Sequence, residues 1–251
     1  MIKLPTSWLE VSFVTYLELL EVDSNEETPF FTKSLEKLCI LSESDDWEDE
    51  TSTTIYTAIK ENEWLLSRPD SKLTESFDDW NLKPYMKYTL AEWIDLDKFI
   101  STQSYEKIVA LAYRRTNKDE WGNTIYEPYQ FKCSERANEF MEVPVNTVFG
   151  SIEGAIKFRA NVLDKFSKLF GSLEDENFEE TEEDRQYLTP NEIEEQREEI
   201  KKDNVKRKYA WESLLDGVSG GDWSRVEAIL ELPAVFVFNM MAMKEVYADK
   251  S

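Results

Sequence analysis

Histidine is absent from all 251 residues. Without an imidazole, Ser-His-Asp and Cys-His nucleophilic sites, His-containing zinc sites and the commonest general base are excluded. The two cysteines, Cys39 and Cys133, stand far apart and form no spacing motif. They can build neither a four-thiolate zinc site nor a disulfide framework, and they suit a reducing compartment. Glycine (7) and proline (8) fall to about half their usual share, which disfavours sharp turns and favours long helices. There is no Walker loop and no G-x-G-x-x-G, and the isolated pair Gly220-Gly221 is explained by a turn between helices. The longest apolar run, residues 233–243, is interrupted by Asn239 and too short to span a bilayer. Met1-Ile2-Lys3-Leu4-Pro5 lacks the apolar region of a signal peptide. A soluble, cytoplasmic chain without a membrane partner is expected.

Basic residues are also scarce. Lys and Arg total 29 against 52 Asp and Glu, for a formal charge of −23. A nucleic-acid backbone would be repelled by that field, because binding it relies on cations that release counterions. The charge serves either colloidal solubility or a basic partner, faced by a holdase-like protein or by a mimic of nucleic-acid charge.

What is present should fold. Hydrophobic residues make up 41%, with 14 Phe, 11 Tyr and 8 Trp, enough core for one large domain or two small ones. Helical spacing predicts a first helix within residues 7–22, capped by Ser12, a second over 32–41 and a third over about 54–66, ended by Arg68-Pro69-Asp70. Thr89-Leu90-Ala91-Glu92 is a capping box, in which Thr89 and Glu92 each satisfy the other's backbone N–H. A helix begins near Ser104, and others cover 134–141 and 151–170. The last of these carries the apolar stripe Ile152, Ile156, Leu163, Phe166 and Phe170, beside the basic Lys157, Arg159, Lys165 and Lys168. Residues 117–132 are least helical; Trp121-Gly122-Asn123 has turn chemistry, and Ile125, Tyr126, Tyr129 and Phe131 suit a short hairpin that Pro128 confines to an edge.

Acid gathers in residues 43–50 and again in 174–184, where eight of eleven residues are carboxylates. Thr189, Pro190 and Glu192 then start a helix whose acids come early and whose bases come late, as the helix dipole favours. A final helix over 234–247 is apolar on nearly all sides and must be buried by something.

One pattern occurs twice. Val11-Ser12-Phe13-Val14-Thr15-Tyr16-Leu17-Glu18-Leu19 parallels Tyr88-Thr89-Leu90-Ala91-Glu92-Trp93-Ile94-Asp95-Leu96, and Leu35-Glu36-Lys37-Leu38 parallels Tyr105-Glu106-Lys107-Ile108. Either a two-helix unit is duplicated, over 7–41 and 84–113, or amphipathic helices resemble one another by chance. The expected fold is mainly α: an irregular multi-helix bundle with this possible repeat and at most a short β-hairpin. Its domains would be a helical region 1–171, an acidic linker 172–189 and a helical region 190–251.

Carboxylates are the one remaining catalytic resource. Asp45-Asp46, Asp78-Asp79 and Asp95 with Asp97 could bind Mg²⁺ or act as acid and base, but so acidic a chain yields such pairs by chance, and no EF-hand pattern surrounds them. They read as solvated surface or helix caps. Trp8, Trp64, Trp80, Trp93, Trp121, Trp211 and Trp223 read as core anchors. No catalytic residue, metal ligand or cofactor is assigned, and the chain is expected not to be an enzyme.

Three stretches carry a resemblance. Lys3-Leu4-Pro5-Thr6-Ser7-Trp8-Leu9-Glu10-Val11-Ser12 is similar to the K-I-P-x-S-W-x-x-V-T opening of proteins from Bacteroidetes-infecting, crAss-like tailed phages. Tyr88-Thr89-Leu90-Ala91-Glu92-Trp93-Ile94-Asp95-Leu96 looks like their L-T-x-G-E-[FW]-I-D-L motif, with Ala91 in the place of glycine. The order Trp211, Leu214-Leu215, Gly220-Gly221-Asp222, Pro233 resembles the W…LAGGD…P ending of tail assembly chaperones. The resemblance implies a non-enzymatic assembly factor made in the bacterial host cytoplasm, whose protein partner is a tape measure or tail tube protein. Val235, Phe236, Phe238, Met240, Met241 and Met243 are then the candidate partner-binding residues, with ordinary core packing the alternative for each. Two other roles remain open: a structural virion protein (a head–tail connector or internal component), and an acidic inhibitor mimicking nucleic acid.

Overall fold

A computed structural model describes residues 4–24, 28–42, 50–62, 64, 67–130, 132–170 and 210–248. The chain forms two compact units that interleave along the sequence: one takes residues 1–83 and 99–156, the other 84–98 and 157–251. The acidic stretch 43–49, the linker expected at 172–189 and the helix start at Thr189, Pro190 and Glu192 lie outside the described residues.

In the first unit, α1 (Phe13–Ser24) starts where Ser12 Oγ accepts the Thr15 N–H at 3.3 Å, and it buries Phe13, Tyr16 and Leu19 along one face. The next helices are α2 (Phe30–Ser42) and α3 (Ser52–Glu61), the latter capped by Thr51. Leu38 meets Ile55 and Ala58 in a small apolar cluster there. In α5 (Tyr105–Ala112), residues 108–112 are all buried. The short α6 (Cys133–Ala137) leads through a 3-10 turn (Asn138–Phe140) towards α7 (Val145–Lys165).

The unit also holds more β structure than a hairpin, which corrects the expectation from sequence. Strands β1 (Ser76–Phe77), β2 (Trp80–Leu82), β3 (Tyr113–Lys118) and β4 (Thr124–Tyr126) form one antiparallel sheet in the order β1-β2-β3-β4. The expected hairpin is its β3–β4 half, with β4 at an edge. Tyr129 lies beyond β4, and Phe131 is outside the described residues. The other half was hidden because β1 and β2 are too short to show alternation, while β3, Tyr-Arg-Arg-Thr-Asn-Lys, presents no apolar face. Cross-strand rings hold it instead. The Arg115 guanidinium lies 5.0 Å from the ring centre of Trp80, its partner on β2, and Phe77, Trp80 and Tyr113 pack on Phe140.

The second unit begins with a 3-10 turn (Tyr85–Lys87) and the capping box of α4 (Leu90–Ser101): Thr89 N–H donates to Glu92 Oε2 at 2.8 Å, and Glu92 N–H to Thr89 Oγ1 at 3.3 Å. It continues through the end of α7, then α8 (Ser167–Phe170), α9 (Ala210–Ser219), a 3-10 turn (Trp223–Arg225), α10 (Val226–Leu230) and α11 (Ala234–Ala248). Gly220 and Gly221 end α9 at φ of 66° and 79°, values that favour glycine. The fold among the described residues is therefore mainly α, with one small sheet.

The two units close in the same way. In the first, Ser12 bridges Pro144: Phe13 N–H donates to Val143 O (2.9 Å) and Val145 N–H to Val11 O (2.9 Å). In the second, Thr89 bridges Pro233: Leu90 N–H donates to Leu232 O (2.8 Å) and Ala234 N–H to Tyr88 O (2.9 Å). Behind these bridges, Tyr16 meets Phe149 edge-on at 5.7 Å, and Trp93 meets Phe238 edge-on at 5.5 Å. Upstream, Glu10 N–H donates to Ser7 O in one unit and Lys87 N–H to Pro84 O in the other.

In the first unit an irregular segment crosses α7. Asp70 N–H donates to Asn146 Oδ1 (2.9 Å), the buried Tyr113 hydroxyl donates to Thr74 O (2.8 Å), and the Lys72 carbonyl lies over Gly150 so closely that a Cβ there would collide with it. Gly150→Ala is therefore expected to cost about 1–3 kcal/mol in a urea melt. Asn239→Ala, at the matching place on α11 where the side chain is exposed, should change stability by no more than about 0.5 kcal/mol.

Burial pushes the Tyr113 hydroxyl from 10.0 up to about 12, and Tyr16 likewise. Between those two pH values the folded state keeps protons that the unfolded chain has released, so stability falls as pH rises across the window. Tyr113→Phe should be less stable than the parent at neutral pH yet lose less across that alkaline window, as read by urea midpoints at its two ends.

Candidate partner-binding surface

The six residues singled out in the sequence all lie on α11, but they point to different places. Proline lacks an N–H and is tolerated at a helix entry, so Pro233 starts α11 while Ala234 makes the bridge to Tyr88. From there Val237 and Phe238 point inward. The Phe238 ring is 0% exposed, nested among Trp93, Phe166, Phe170 and Trp211 with ring centres 5.2 to 6.4 Å away. Met241 is half-buried, and a Cβ at Gly217 of α9 would meet its Cε at 3.2 Å. Lys244 ties the same turn by donating to the Gly217 carbonyl at 3.0 Å.

The opposite side differs. Phe236 is 51% exposed and Met243 58%, with half-buried Met240 between them. Positions 236, 240 and 243 follow helical spacing and form one apolar face. Val235 is half-buried, and Asn239 stands exposed on the same face. One helix thus carries a core anchor on one side and an apolar, methionine-bearing surface on the other. Methionine has the flexibility and polarisability that adaptable contacts use.

The stripe expected on 151–170 is mostly interior: Ile152, Leu163 and Phe166 are buried, and Ile156 is exposed. Of the basic residues beside it, Arg159 pairs with Asp97 at 2.6 Å, while Lys157 and Lys165 are exposed. That ion pair accounts for one of the carboxylates considered for catalysis. Asp78 and Asp79 make the turn between β1 and β2, with Asp78 at φ 47°, and Asp45-Asp46 lie outside the described residues. Among the described residues no group of three or more Cys, Asp or Glu is placed to hold a metal ion. No described helix is long and apolar enough to cross a membrane.

The tryptophans are not all core anchors. Trp8, Trp80 and Trp93 are buried and Trp64 and Trp211 half-buried, but Trp223 is exposed and Trp121 is 86% exposed. Trp121 rides the β3–β4 loop on a preorganised turn. Asp119 Oδ1 accepts the N–H groups of Trp121 (2.9 Å) and Asn123 (2.7 Å), Oδ2 accepts Asn123 Nδ2 (2.9 Å), and Gly122 takes φ 80°. The Asn123 side chain and these backbone donors hold the Asp119 carboxyl below its ordinary range. An aspartate two residues before Trp121 is the sequence signal for such a turn, and it would have placed this ring at a loop tip.

Phe238→Ala should cost about 3–5 kcal/mol by emptying the aromatic nest. Phe236→Ser should leave the urea midpoint nearly unchanged, within about 0.5 kcal/mol. Equal losses at the two positions would mean that the outer face is core after all. Compared with protein-family models, with curated proteins and with solved structures, the chain matches none.

Proposed function

We propose that this chain is a non-enzymatic binding protein that assists assembly, in the manner of the tail assembly chaperones of crAss-like tailed phages, and that it holds a tape measure protein in the host cytoplasm. The observation that carries the reading is the division of α11, where Phe238 fixes the helix in a core while Phe236, Met240 and Met243 stay available. A holding protein needs such a surface on a rigid mount, with enough like charge elsewhere to keep a sticky complex dissolved.

The stretches that resemble the phage proteins occupy joints of the fold. Ser12 and Thr89 cap α1 and α4, Trp211 touches Phe238, Asp222 accepts the Ser224 N–H at 3.2 Å, and Pro233 sits in the bridge to Thr89. The matching bridges, ring pairs and turns also support reading the two units as copies of one ancestral unit. This reading keeps only the first helix of each pair seen in sequence, because Tyr105-Glu106-Lys107-Ile108 falls in the first unit together with Leu35-Glu36-Lys37-Leu38, and it adds the match of Phe140-Met141-Glu142-Val143-Pro144-Val145 with Ile229-Leu230-Glu231-Leu232-Pro233-Ala234.

Co-expression with the neighbouring tape measure gene should yield a complex that co-purifies, and mass spectrometry of finished particles should find this chain scarce. A chain abundant in particles would instead be a virion component. A chain that ignores the tape measure and is missing from particles would sink the assembly reading altogether.

A further inference from the structure

We draw no further inference here: the strongest candidate, the surface of the β3–β4 hairpin where Trp121 and Ile125 stand exposed, has charges of both signs beside it in Lys118 and Glu120, and nothing in the structure shows what covers it.

Discussion

A pair of backbone hydrogen bonds closes each unit, joining the first turn of an early helix to the entry of a late one. The first N–H groups of any helix have no partner inside it and must be satisfied from elsewhere. Here two helix starts bear on one bridge: Phe13 and Leu90 donate to the segments that lead into α7 and α11, and Val145 and Ala234 donate back. The proline at the centre, Pro144 or Pro233, has no N–H to leave stranded, so both donors come from helix-starting residues on either side of the bridge. With the starts pinned, a ring one turn further along each helix has a fixed neighbour, Tyr16 with Phe149 and Trp93 with Phe238. The aromatic nest around Phe238, and with it the outward pose of the rest of α11, follows from where that bridge holds the helix.

Helix starts were the readable part of this fold. Ser12 and the Thr89–Glu92 box announce themselves because capping is local chemistry, decided within four residues. The sheet was readable only in its β3–β4 half, because the pairing of β3 with β2 owes its place to Trp80, Tyr113 and Phe140, which meet only in three dimensions. The start of α7 was missed by about two turns for a related reason: Val145 takes its entry from Val11, a partner far away in the chain. On α11 the sequence indicated an apolar helix, but its lack of periodicity concealed which side faced the core. Phe236 and Phe238 look alike in sequence and differ wholly in exposure.

Besides the sheet that the first unit holds, the units differ on one face of the late helix. On α7 Gly150 lets backbone settle directly on the helix, whereas the matching turn of α11 carries Phe236 and Met240 around Asn239. Two units closed by the same kind of bridge have this freedom. One unit has Gly150 covered by backbone while the other carries Asn239 exposed at the matching place, and the ring pair and bridge are formed in both.

The bridges also set a timetable. Each joins residues separated by well over a hundred positions, so neither can form while its early half is first being made. At roughly 5–20 residues per second, Phe13 waits on the order of ten seconds for Val143, and Leu90 waits similarly for Leu232. Throughout that interval Tyr16 and Trp93, each destined for a ring that does not yet exist, must be kept from other apolar surfaces. The like charge of the acid-rich chain opposes contact between neighbouring chains while the closing segments are still to come.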